Sequence, residues 1–360
     1  MMKKENEFIL ELCKFKDFNK GKIIEILSDN INYPYVLGQI LWNRIGSVAY
    51  YVFLKCEILS KLNREFRNPL KSIYFADKLK TESYIKCLDE IAEISKEMDF
   101  NHAWLKGTKL VNLYPKGLRI SNDFDVLMKA DDVTKMSNLL KSRGFKQGYI
   151  RNDEFKLADR RTILSSKLNR GETVPFVKKV NLPLMKYIEI DVNFSLDYKP
   201  ENGSDAVGKM LENITNEKIK TLSQTDFLLH LCTHLYKEAT VYNWVEMGRD
   251  LSLYKFVDIY LFITELVNVQ FAKELIERIV ELELNKPCYF AFYNTKTLFN
   301  IENENLNNIL NAIKPVNIEF MNTIINPSSG QKYRYDMDFK DWVFENKRKN
   351  ILHEITNETA

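Results

Sequence analysis

The chain of 360 residues has room for one large domain or roughly two to three modest ones, and its 45% hydrophobic content supplies sizeable cores. With 52 basic and 49 acidic residues the formal charge is +3, which gives no electrostatic case for indiscriminate nucleic-acid binding. The five cysteines are widely spaced and contain no C-x-x-C pair, which argues against a disulfide framework and a zinc cage and fits a reducing, cytoplasmic setting.

In chain order, the first residues turn acidic before any sustained apolar run, so no signal peptide is expected. Val36 to Leu59 is the most apolar stretch, but Asn43 and Arg44 interrupt it where a spanning helix would suffer most. It reads as a buried helix, and no membrane partner is expected. Apolar residues up to about residue 100 recur at helical spacing, as in the stripe Tyr84, Leu88, Ile91, Ser95 and Met98. This predicts an all-helical region of roughly four or five helices, with Pro34 and Pro69 at turns or helix starts.

From Phe100 the elements shorten and alternate. A helical piece at Thr108 to Leu113 precedes a strand at Asp123 to Met128 and a helix from Asp132 to Ser142 that Gly144 closes. A strand at Phe145 to Ile150 follows, then a polar, basic loop from Arg151 to Arg170, then a hairpin of Thr173 to Val180 with Lys186 to Phe194. Helices return from about residue 205. Ser223 and Asp226 resemble a capping box opening a helix through His230 and His234. Further helices are predicted at Asp250 to Leu266, Phe271 to Leu284, Pro287 to Leu298 and Leu306 to Ile313, with a loop at Pro327 to Lys332 and a frayed tail past Asn350.

The stretch from Trp104 to Met128 carries the chemistry. Asp123 and Asp125 alternate in a run that otherwise reads as a buried strand. A period of two puts both on one face, about 7 Å apart, with Phe124 and Val126 on the other. Two buried like charges side by side are costly unless a cation sits between them. The pair therefore reads as a divalent-metal site on a sheet. A later strand repeats the pattern with Glu189 and Asp191, so a third carboxylate stands ready to join the first two.

The Gly107-Thr108 helix start, the acid pair and the distant strand acid Asp191 resemble the signature of the polymerase-β-like nucleotidyltransferase fold. More narrowly, Leu105-Lys106-Gly107, Tyr114-Pro115, Arg119 and Asp191 resemble a bacterial family of uncharacterised nucleotidyltransferases, over roughly residues 100 to 260. The resemblance implies an α+β fold, a small mixed β-sheet core at 101–204 flanked by N-terminal (1–100) and C-terminal (205–360) helical regions. It also implies transfer of a nucleoside monophosphate, AMP foremost, from an NTP to a hydroxyl or phosphate acceptor.

In that scheme Asp123, Asp125 and Asp191 are catalytic and hold Mg²⁺ or Mn²⁺, because two divalent ions prefer carboxylate oxygen. Lys106, Gly107, Thr108 and Arg119 would receive the triphosphate, joined by Lys237 on the later helix. Glu189 is the alternative third ligand. His230 and His234 have zinc-compatible spacing but lack the glutamate of a metalloprotease motif, so helix packing explains them better. The resemblance places an acid near Asp258, and helix capping or an ion pair explains Asp250 and Asp258 equally well. The same fold also serves kinases, pyrophosphokinases and non-catalytic nucleotide-binding interaction proteins, and its acceptors include small molecules, peptides, proteins and tRNA.

Overall fold

A computed structural model describes residues 2–198 and 205–355. Contacts divide the chain into two units, Phe75–His230 and Met1–Tyr74 with Leu231–Ala360. The α+β architecture expected from the sequence is present, as a mixed sheet accompanied by helices and a second, small sheet.

The unit Phe75–His230 is built on six strands: β1 (His102–Trp104), β2 (Phe124–Met128), β3 (Lys146–Arg151), β4 (Glu154–Leu157), β5 (Phe176–Leu182) and β6 (Met185–Asn193). Their order across the sheet is β1-β2-β6-β5-β3-β4. β2 and β6 run parallel, and the other neighbours are antiparallel. All five residues of β2 are buried, so charge on this strand has to be matched locally. Phe124, Val126, Met128, Ile188, Ile190 and Val192 pack with Tyr84, Ile91 and Ile94 of the helix Arg64–Glu97 and with Met136 and Leu140 of the helix Val133–Ser142. Side chains alternate on a pleated sheet, so the apolar residues facing these helices leave Asp125, Glu189, Asp191 and Asn193 on the other face.

Two sequence expectations fail here for local reasons. The segment 151–170, expected as loop, contains β4 and the helix Arg160–Asn169. Asp159 caps that helix by accepting from the Thr162 amide at 2.7 Å, and this cap, rather than an apolar stripe, marks its start. Pro69 lies inside the helix Arg64–Glu97 instead of at its start. The Asn63 side chain accepts from the Phe66 amide, which fixes the first turn upstream, so the proline removes one hydrogen bond near the helix end.

In the other unit, Val36 to Leu59 forms two helices, Tyr33–Trp42 and Gly46–Cys56, rather than one. Asn43 breaks the run: its amide nitrogen donates to the Gln39 carbonyl and its oxygen accepts from the Leu253 amide, while Arg44 follows with φ +56°. Pro34 does sit in the first turn of its helix. The later helices include Leu253–Leu266, Val269–Glu281, Asn285–Phe299 and Glu304–Ile313, close to their predicted limits. Strands β7 (Thr323–Ile325), β8 (Lys332–Arg334) and β9 (His353–Glu354) form a small antiparallel sheet, so part of the tail expected to fray is paired, and residues 356–360 lie outside the described residues. Among the described residues, no helix is long and apolar enough to cross a membrane.

Candidate active site

β2 and β6 bring the predicted acids together. Asp125 and Asp191 are register partners on these two parallel strands, a strand spacing of about 4.8 Å apart. Asp123 lies one step before β2 and accepts from the Ser121 hydroxyl at 3.0 Å. Asp125 is 4% exposed, and its Oδ1 accepts from the Lys106 ammonium at 2.9 Å and from the Asn193 amide at 3.4 Å. Two buried carboxylate oxygens, Asp125 Oδ2 and Asp191 Oδ1, accept no hydrogen bond.

Lys106 stands among several acids. Burial, and then the charges of Asp123 and Asp125, hold the Asp191 carboxyl well above the usual carboxylate range, with Glu189 and Glu172 adding to the effect. Burial and the Asp125 charge also raise Asp123, against the opposing pull of Lys106 and Ser121. Glu189, on the face of Asp191, is pushed up to about 7 by burial and by Asp123 and Asp125. Such a cluster is stabilised either by taking protons or by a cation of higher charge. Among the described residues, no group of three or more His, Cys, Asp or Glu is placed so that it could hold a metal ion as it stands. The donor chemistry nonetheless fits a hard divalent cation, because two register-partner aspartates each keep a buried carboxylate oxygen unsatisfied.

Lys106 reaches Asp125 from an unusual backbone, with φ +44° and ψ −107°. Its neighbours fix it there. The Leu105 amide donates to the Asp125 carbonyl at 2.9 Å, and a Cβ on Gly107 would stand 2.6 Å from both the Tyr84 hydroxyl and the Ser121 Cβ. Glycine at 107 is thus demanded by packing within the protein. The helix Gly107–Leu113 begins here, and Thr108 turns its hydroxyl back onto the Leu105 carbonyl at 2.9 Å. That hydroxyl donates within its own turn.

Arg119 is half-buried and donates to the Ile120 carbonyl. It follows a turn in which Gly117 has φ +87° and lies against the Lys78 backbone, where a Cβ would stand 2.9 Å from the Lys78 nitrogen. Its charge opposes the burial that raises the Tyr84 hydroxyl, so Arg119 belongs to the same neighbourhood as the acids. Lys237 lies on the helix Gln224–Thr240 but in the part belonging to the other unit. On that helix, His234 Nε2 is 3.5 Å from a Glu238 oxygen, and Glu238 in turn pairs with Lys255. Asp250 is an ion-pair residue, bound to Arg348 at 2.7 Å, and Asp258 is buried.

Sequence reasoning missed three residues at the site. Tyr84 stacks on Phe124 with ring centroids 4.3 Å apart and donates to the Asp123 carbonyl at 3.3 Å. It appeared only as one member of an apolar stripe, and nothing in its local sequence announces a contact with residue 123. Ser121 and Asn193 were legible in principle: each stands two residues from a predicted acid, where strand alternation returns a side chain to the same face.

A family model described as "Uncharacterised nucleotidyltransferase" matches residues 29–300 of the chain. No curated protein and no solved structure matches it at the significance required.

Proposed function

The chain belongs to this uncharacterised nucleotidyltransferase family, and from that premise we propose that it moves a nucleoside monophosphate, AMP foremost, from an NTP to a hydroxyl or phosphate acceptor on a polymerase-β-like core. One observation carries the proposal beyond family membership. Asp125 and Asp191 are register partners on one sheet face, Asp123 stands two residues before Asp125, and two of the carboxylate oxygens are buried and unsatisfied. Asp123, Asp125 and Asp191 would hold magnesium or manganese, which would neutralise triphosphate charge and acidify the acceptor hydroxyl.

The chain's own residues then have defined tasks. Asp123 and Asp125, two residues apart, fix the donor side. Asp191, on the separate strand β6, takes the acceptor proton as the acceptor oxygen bonds to the α-phosphorus. The bond from the α-phosphorus to the bridging oxygen breaks, and pyrophosphate departs. Lys106 and Arg119 receive phosphate charge, with the Gly107 and Thr108 backbone at the helix start beside them. Lys237 enters only through the family resemblance.

The test separates nucleotidyl from phosphoryl transfer and from simple binding. The purified protein is supplied with Mg²⁺ and an NTP labelled at either the α- or the γ-phosphate, together with an extract of its host. Label entering an acceptor from the α-position alone, and lost in Asp123→Ala, is the expected result. Label from the γ-position would make it a kinase, and binding without transfer across a broad acceptor panel would make it a sensor.

A further inference from the structure

The cation that the acids hold in this structure is part of the chain itself. Lys106 Nζ lies 2.9 Å from Asp125 Oδ1, with the lysine side chain 18% and the aspartate 5% exposed. Its backbone cannot move to follow a ligand. The Leu105 amide is bonded to the Asp125 carbonyl, Gly107 is wedged beneath Tyr84 and Ser121, and φ +44° with ψ −107° is a conformation that persists only when the surroundings impose it. The side chain, with four rotatable bonds, is the part free to relocate.

We infer that Lys106 is a resident counter-ion which a divalent metal expels from Asp125, and that the expelled ammonium is thereby delivered to the incoming triphosphate. The inference rests on the acid-site reading above. The physical argument is one of charge. Asp125 offers a second oxygen, Oδ2, that is buried and unsatisfied, and Asp191 offers another across the strand pair. A dication held by these acids would repel the ammonium bonded to Asp125, in a buried site where little water screens the repulsion. The metal satisfies more of the carboxylate charge than the lysine does, so the lysine is the group that leaves. Until then, it lowers the cost of keeping the acids buried. The arrangement couples metal loading to donor capture, because the cation leaving Asp125 starts within a side chain's length of the predicted phosphate site at Gly107 and Thr108.

The inference predicts a sign opposite to that of an ordinary phosphate-binding lysine. Removing such a lysine leaves metal affinity without nucleotide unchanged. Here, Lys106→Met is expected to bind Mn²⁺ about tenfold or more tightly in the absence of NTP, measured by the paramagnetic resonance of free Mn²⁺, because the metal no longer competes with an internal cation. Lys106→Arg keeps the competitor and is expected to stay near the parent. In the parent protein, Mn²⁺ is expected to accelerate acylation of the Lys106 amine, read by peptide mass spectrometry, and subsequent NTP to slow it.

Equal or weaker Mn²⁺ binding by Lys106→Met, or an amine whose reactivity ignores Mn²⁺, overturns the exchange. Asp125→Asn distinguishes that failure from failure of the site itself. If Asp125→Asn binds Mn²⁺ as well as the parent does, the acids are not the metal site and the functional proposal falls with the exchange. If Asp125→Asn loses binding while Lys106→Met gains none, only the exchange is wrong.

Discussion

Asp191 shows what the site costs at the scale of a residue. Burial and the charges of Asp123, Asp125 and Glu189 hold its carboxyl well above the usual carboxylate range, so ionising it is costly in a way that a neutral isostere avoids. Asp191→Asn is therefore expected to abolish transfer, by about a thousandfold or more, while raising thermal stability by on the order of 1 kcal/mol. Calorimetric melting and a turnover assay on the same variant check both halves. A variant that loses activity and stability together would mean that Asp191 is structural.

Tyr84→Phe separates holding from chemistry. It keeps the ring stack on Phe124 and deletes the hydroxyl that bonds the Asp123 carbonyl, so kcat is expected to fall about tenfold, with KM for NTP nearly unchanged and stability lowered by about 1 kcal/mol. A change confined to stability would remove Tyr84 from the site.

Among the elements, β1 contains a pH-dependent contribution to stability. His102 is fully buried on it, with its ring nitrogens 2.7 Å from the Ser95 hydroxyl and 2.9 Å from the Phe100 carbonyl. Burial lowers its pKa from 6.5 to about 4. The unfolded chain therefore binds more protons than the folded one between these values. The contribution is fully present above pH 6.5, falls as pH drops towards 4, and amounts to on the order of 3 kcal/mol. Glu189 runs the other way, since its raised pKa of about 7 makes acidification favourable. The His102 share is isolated by difference. The unfolding free-energy gap between the parent and His102→Gln should shrink from pH 7 to pH 4, and a gap independent of pH would contradict the assignment.

Elements also show what the sequence could and could not disclose. β2 and β6 were legible because acids alternate with β-branched and aromatic residues, and the long C-terminal helices because their apolar residues hold helical spacing. β1 was missed because three residues carry too little periodicity. The helix Arg160–Asn169 was missed because its face carries no strong apolar stripe and its start depends on one Asp159 cap. The acids could be named from the sequence, but the hydroxyl of Tyr84 beside them could not. Only the packing of a helix against the sheet brings residue 84 to residue 123.

For the whole molecule, the unit formed by Met1–Tyr74 and Leu231–Ala360 contains a buried ion pair. Arg348 is 2% exposed, donates to the carbonyls of Val343 and Glu345 and pairs with the fully buried Asp250 at 2.7 Å. Removing one partner of such a pair leaves the other charge buried and alone, which costs about 3–5 kcal/mol. Arg348→Met is therefore expected to destabilise this unit by that amount, seen as a lowered unfolding midpoint and early proteolysis near residues 342–348. Unchanged protease resistance would show that this segment is held by its other contacts, including the stack of Tyr335 on Trp342.

The central claim is that the acids on β2 and β6 carry out metal-dependent nucleotidyl transfer. Its most direct measurement compares the parent protein with Asp125→Asn, each given Mg²⁺ and an NTP labelled at the α-phosphate, and follows label into acceptor alongside release of pyrophosphate. The account predicts stoichiometric transfer and pyrophosphate release by the parent, neither without Mg²⁺, and neither in the folded variant. Transfer that survives Asp125→Asn, or that proceeds without a divalent metal, would contradict it.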